Sequence, residues 1–214
     1  MRTLPEGLAE VVAKYLVAAD NALEAEDIEG AREFVKAAKS RAGRVAAVRE
    51  AVGITAYLAG DYAEAAAELR AVRRMSGSNE YLAMLADCER GLGRPQKALE
   101  LAKEGLATEK DPAARVELLL VAAGARVDLG QVDAAVVVLQ VPELTKLPKG
   151  TPRARLQYAY ADFLEQAGRS HEAQEWLIRA AESDIEGATD AAELLSDDDD
   201  IEFLADESQS ETEA

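Results

Sequence analysis

Across 214 residues the chain has one cysteine, one histidine and one tryptophan, and its aromatics make up only 5%. A lone Cys88 cannot close an internal disulfide, and without a second cysteine no paired-cysteine zinc spacing exists. No glycine-rich phosphate loop and no Gly-x-Ser-x-Gly elbow occurs. Carboxylates are plentiful but scattered, so no acid–base pair stands out. Neither a catalytic residue, a metal nor a cofactor is expected. No apolar run approaches the ~20 residues that span a bilayer. Residues 1–7 lack the basic-then-apolar pattern of a signal peptide. These gaps predict a non-enzymatic protein of a reducing cytoplasm, without a membrane partner.

Positive charge is missing from one end. Residues 183–214 hold seven Asp and six Glu with no Lys or Arg, which leaves a net charge of only −4 for the 182 residues before them. The acidity therefore belongs to the end of the chain, not to its body. Residues 196–214 have too little apolar content for a core and are expected to be a disordered acidic tail. The run Asp197 to Asp200 offers hard oxygen ligands but lacks the convergent geometry that a specific cation site requires.

Alanine is abundant, and it recurs with a period. Five segments end on an alanine that follows a turn: Glu26 to Ala31, Gly60 to Ala65, Gly93 to Ala98, Gly130 to Ala135 and Gly168 to Ala173. The closing alanines are 34, 33, 37 and 38 residues apart. Glycine ends a first helix by taking the left-handed conformation. The polar residue after it starts a second helix, and the alanine sits where the two helices cross and nothing larger fits. Each helix presents one apolar stripe that it cannot bury alone, so successive hairpins must stack.

Gly60-Asp61-Tyr62-Ala63-Glu64-Ala65 resembles, almost residue for residue, the turn of the tetratricopeptide repeat (TPR) family, whose unit is a 34-residue helical hairpin. The resemblance covers about residues 15–182. Tyr15, Leu82 and Leu119 stand at the large first-helix position, and Leu69, Leu139 and Leu177 at the bulky second-helix position. The fold it implies is an all-α, right-handed α-solenoid of about five hairpins over residues 1–182, with repeats near 12–45, 46–78, 79–112, 113–150 and 151–182. A capping helix is expected within 183–195, ahead of the acidic tail at 196–214. Pro142, Pro148 and Pro152 break the hand-off between repeats four and five and predict a longer loop there. The family's closing proline is poorly kept, with Pro112 slightly late. Cys88, on the first helix of repeat three beside Asp87 and Glu89, is expected to be a buried small residue whose thiol those carboxylates keep unreactive. His171 lies in a repeat turn and is expected to be a solvated surface residue.

In the TPR fold the concave groove is lined by the first helix of each repeat. The signature alanines map that groove onto Leu16, Asp20 and Leu23; Glu50, Ile54 and Tyr57; Asp87 and Arg90; Leu120 and Val127; and Tyr158, Asp162 and Glu165. The Lys and Asn clamp by which some family members hold a chaperone's C-terminal carboxylate is missing. Carboxylates mixed with apolar and tyrosine patches imply a basic or amphipathic peptide or protein partner, and hence an adaptor. The rival reading is a chaperone or charge mimic whose acidic tail covers a basic nucleic-acid-binding partner.

Arg32, Lys36, Lys39, Arg41, Arg44, Arg49, Arg70, Arg73 and Arg74 form a basic cluster. Without interleaved aromatics it does not predict direct nucleic acid binding. It is expected either to solvate the outer face or to receive the acidic tail. The apolar run Val136 to Leu139 is read as helix from the repeat register, and is either a self-association patch giving a homo-oligomer or covered by the following loop.

Overall fold

The computed structural model describes residues 4–196, so everything expected of the acidic tail beyond Ser196 lies outside the described residues. The described residues are helical and contain no strand. They divide into two units, residues 1–107 and 108–214. The first holds α1 (Glu6–Glu24), α2 (Ile28–Ala42), α3 (Ala46–Leu58), α4 (Tyr62–Ser76), α5 (Leu82–Gly91) and α6 (Pro95–Thr108). The second holds α7 (Pro112–Asp128), α8 (Val132–Leu139), α9 (Glu143–Lys146), α10 (Thr151–Gln166), α11 (Ser170–Ser183) and a short α12 at residues 191–196.

The five hairpin turns share one backbone solution. At the end of each first helix one residue takes a left-handed conformation: Glu26 (φ 59°), Gly60 (74°), Gly93 (69°), Gly130 (70°) and Gly168 (73°). The next residue's amide then donates five positions back, from Asp27 to Ala22, Asp61 to Ala56, Arg94 to Glu89, Gln131 to Arg126 and Arg169 to Leu164, at 2.8–2.9 Å. This is the helix-ending bond that satisfies a carbonyl the helix itself leaves free. Side chains then start the second helix only where the residue is aspartate: Asp27 accepts from the Gly30 amide at 2.9 Å and Asp61 from that of Glu64 at 3.2 Å. The closing alanines Ala31, Ala65, Ala98 and Ala135 are fully buried and Ala173 is 5% exposed, as helix crossings at these points require.

Within the first unit, Leu69 on α4 packs against Leu82 and Leu85 of α5, and Val48 on α3 packs with Val12 on α1 and Ala38 on α2. Each first helix thus covers the hairpin before it. Gly53 lets α3 and α4 meet, because a Cβ there would stand 2.9 Å from Leu69 Cδ2. In the second unit Leu139, Leu156 and Leu164 are fully buried. The proline-rich connection forms the expected longer loop, and it is not slack. Gln157 donates to the Leu144 carbonyl at 2.7 Å, Arg153 to that of Leu147 at 3.0 Å, and Arg115 pairs with Glu143 at 3.2 Å. The Gly150 amide donates to the Ser183 carbonyl at 2.9 Å, tying the loop to the end of α11.

The apolar run of α8 divides by face. Val136 and Leu139 are buried, Val138 is half-buried and Val137 is 65% exposed. Among the described residues no helix is long and apolar enough to cross a membrane.

Candidate protein-binding surfaces

None of the thirteen first-helix positions named from the sequence is buried. Leu16, Leu23, Glu50, Ile54, Tyr57, Asp87, Arg90, Leu120, Val127 and Tyr158 are half-buried, while Asp20, Asp162 and Glu165 are exposed. In the first unit a connected group stands out on α3 and α5. The Tyr57 hydroxyl donates to Asp87 at 2.7 Å, and Arg90 pairs with the other oxygen of Asp87 at 2.9 Å. Burial first, then the Asp87 bond, pushes the Tyr57 hydroxyl well above the ordinary phenol range. The Tyr81 hydroxyl, raised for the same reasons, donates to Glu50. The result is a fixed row of carboxylate, isoleucine, tyrosine, carboxylate and guanidinium.

Six of the nine residues of the basic cluster belong to the structure's seams, and the sequence did not betray this. Lys39 on α2 meets Glu64 at 2.8 Å and Glu68 at 3.0 Å, both on α4; Arg49 on α3 meets Glu68 at 2.7 Å. Arg70 and Arg94 converge on Glu89, whose side chain is 1% exposed, and Arg73 pairs with Glu104. Arg32 lies 3.5 Å from Asp61, and Arg41 stacks on Tyr15 with 4.9 Å between guanidinium carbon and ring centre. Lys36, Arg44 and Arg74 meet no carboxylate within ion-pair distance among the described residues. Apart from Arg94 and Glu89, five residues apart across one turn, the partners are 19 to 31 residues apart, so only the folded register brings them together. An open groove of about 550 Å3 between α2 and α4 is walled by Arg32, Lys36 and Lys39 but also by Glu29, Glu33 and Glu64, so it carries no dominant sign.

Tyr158, Asp162 and Glu165 occupy a different kind of place. With Ala161 they form one wall of a cleft of about 680 Å3, and Ala173, Gln174 and Leu177 on α11 form the other. Leu194 of α12 reaches its edge. Burial, then Asp190 and Asp162, raises the Tyr158 hydroxyl above the phenol range. His171 also lines the cleft, and its side chain is 89% exposed, 3.7 Å from Glu175. Cys88 is fully buried, and its thiol is pushed up to about 12, chiefly by burial and only then by Asp87. The sequence points to the neighbouring carboxylates as the cause; desolvation is the larger one.

The geometry defines a class first: stacked helical hairpins closed by left-handed turns and buried alanines, which is the tetratricopeptide-repeat fold. Solved structures agree. The chain is similar to the nearly identical TPR-like repeats of a Podosopora anserina protein described as a kinesin light chain, with a TM-score of 0.66 and 18% identity over 85% of this chain and 97% of that one. It is similar also to a thermophilic TPR protein of Thermus thermophilus, with a TM-score of 0.61 and 17% identity over 80% and 91% of the two chains. A third is the Rap conjugation gene regulator of plasmid pLS20 in complex with a Phr peptide, with a TM-score of 0.58 and 15% identity over 85% of this chain and 56% of that one. No protein-family model and no curated protein sequence matches the chain.

Proposed function

We propose that the chain is a non-enzymatic interaction scaffold that holds a basic or amphipathic peptide segment of a protein partner against its first-helix faces. The observation that carries this reading is the fixed row on α3 and α5, where Tyr57 is pinned by Asp87 and Asp87 in turn is held by Arg90. A side chain already ordered in the free protein loses little entropy on binding, and half-buried tyrosine is a residue type that concentrates binding energy. Ile54 beside it supplies an apolar contact, and Glu50 and Asp87 supply attraction for a cationic partner residue. A peptide seen on the Rap regulator supports the idea that the shared fold lends itself to peptide capture.

The test is a fluorescence-polarisation screen of basic amphipathic peptides against the full chain, repeated with Ile54→Glu and Tyr57→Ala. Loss of a central aromatic contact costs about 2 kcal/mol, so each variant should weaken a positive peptide at least ~10-fold. Unchanged affinity in both variants would defeat the proposal. Binding that disappears instead on removal of residues 197–214 would favour the acidic-tail chaperone or charge mimic.

A further inference from the structure

We propose that the cleft between α10 and α11 is a second docking site, for a basic amphipathic helix supplied by another protein. The occupant would stand where the first helix of a sixth hairpin would stand.

The argument starts from one equivalent position in every hairpin, four residues after the closing alanine. There Val35, Leu69, Ala102 and Leu139 are 3%, 1%, 0% and 0% exposed. Leu177 holds that position in the fifth hairpin and is only half-buried. The cause is visible in the neighbours. Leu69 is covered by Leu82 and Leu85 of the next first helix, and α8, which carries Leu139, is packed against α10. Among the described residues α11 is followed by α12, six residues long, against 10 to 19 residues in the five first helices. Its Leu194 reaches the cleft but is 44% exposed. Among the described residues the bulky second-helix leucine therefore lacks the cover that its counterparts receive.

The rim of the cleft states the sign of the missing piece. Asp162 accepts from the Gln166 side chain at 3.0 Å, and Glu165 from the Ser170 hydroxyl at 2.9 Å. Neither meets a cation among the described residues. In the second unit an incoming first helix brings such a cation: Arg155 of α10 reaches Glu117 on α7, in the hairpin before it, at 2.5 Å. An occupant with leucines three apart, like Leu82 and Leu85, and with Lys or Arg on its flanks would repeat both interactions. The sequence beyond α12, residues 197–214, with five Asp, four Glu and no Lys or Arg, has the wrong sign for this place.

The test uses the isotope-labelled full chain and a 16-residue synthetic peptide, with leucines at i, i+3 and i+7 and lysines flanking them. A control peptide replaces each lysine with glutamate. The lysine peptide should shift amide resonances of residues 158–165 and 170–177, with an affinity that falls as salt rises. Leu177→Glu should abolish the shifts. The double variant Asp162→Lys with Glu165→Lys lies on exposed positions and should keep the far-UV spectrum, yet weaken binding at least ~10-fold. Four outcomes would overturn the proposal. Equal binding of both peptides removes the charge argument. Shifts confined to residues 50–57 and 87–90 sink this cleft while leaving the scaffold reading intact. Cleft resonances that move when residues 197–214 are deleted name the chain itself as the occupant, and a dependence on protein concentration names a second copy.

Discussion

The two units solve the same packing problem with different chemistry. In residues 1–107, second helices carry lysine and arginine that reach carboxylates one hairpin on, and two carboxylates, Glu68 and Glu89, are almost withdrawn from solvent between their cationic partners. In the second unit the burden falls on leucine, with Leu139, Leu156 and Leu164 fully buried and a loop sewn to α10 by bonds from Gln157 and Arg153 to backbone carbonyls. Charge fixes register, because a slipped helix would strand a carboxylate. Apolar packing supplies depth but tolerates wrong partners more readily. The only tryptophan, Trp176, lies in the second unit, edge-on to Tyr160 at 5.1 Å. Its fluorescence therefore separates the two units, while far-UV circular dichroism sees both.

The largest effect is expected where leucine carries the load. Leu156→Ala leaves a cavity at a fully buried position and should cost about 2–5 kcal/mol. The Trp176 transition in urea should move to lower denaturant, and the remaining helical signal should melt near its original midpoint. A common shift of both signals would erase the distinction between the units.

The ion-paired seam is probed by Arg70→Ala combined with Arg94→Ala. Glu89 would then keep its charge in a nearly solvent-free place, at a cost of about 2 kcal/mol, set below a fully buried pair because both arginines are partly exposed. Adding Glu89→Leu should recover most of the loss, since an apolar side chain of similar size needs no partner. The helical signal should report both changes with Trp176 unmoved. A triple variant as weak as the double would show that the carboxylate is needed for more than its charge.

The parts of this fold legible in sequence are those dictated by backbone and volume. Left-handed turns select glycine, crossings select alanine, and together they placed all five hairpins. The sequence also identified the fifth hairpin's leucine position, but not that Leu177 would be only half-buried among the described residues. The seams were hidden for a different reason. Lys39 and Glu64, or Arg49 and Glu68, become neighbours only through the stacking of separate helices, and no spacing rule along one helix predicts them. Read as a surface patch, the same basic residues suggest a solvated outer face or a place for the tail. Tyr57 and Asp87 were named separately from repeat register; their 2.7 Å bond needed the structure.

A smaller effect is expected at the end of the second unit, where Asp184 clasps the start of α12. It accepts from the Ala188 amide at 2.8 Å and from both the amide and the hydroxyl of Thr189 at 2.7 Å. The Thr189 hydroxyl bond first, then the Ala188 amide, holds its carboxyl below the usual range. A group whose acidity is strengthened by folding stabilises the fold above its unfolded value, about 3.9, and loses that contribution as pH falls through the lower folded value. Acid should therefore loosen residues 188–195 below about pH 4. Thr189→Val, which removes one donor, should bring that loosening to higher pH, readable from amide shifts. No change between the two proteins would show that the backbone amides alone hold the clasp.

The smallest effect tests the turns themselves, and it strengthens the protein. Four of the five left-handed positions are glycine, but the first is Glu26 at φ 59°. A side chain in that conformation crowds the following carbonyl and costs roughly 1 kcal/mol. Glu26 is exposed and pairs with no cation among the described residues, so Glu26→Gly removes the crowding without emptying an ion pair. Glycine also widens the unfolded ensemble, which offsets part of the gain. The net should be a stabilisation of about 0.5 kcal/mol in the first unit, seen in the helical signal with Trp176 unchanged. Grafted in reverse, Gly60→Glu should cost about 1 kcal/mol at a turn with open space around its Cα. If the two changes do not have opposite signs, backbone conformation is not what ends these first helices.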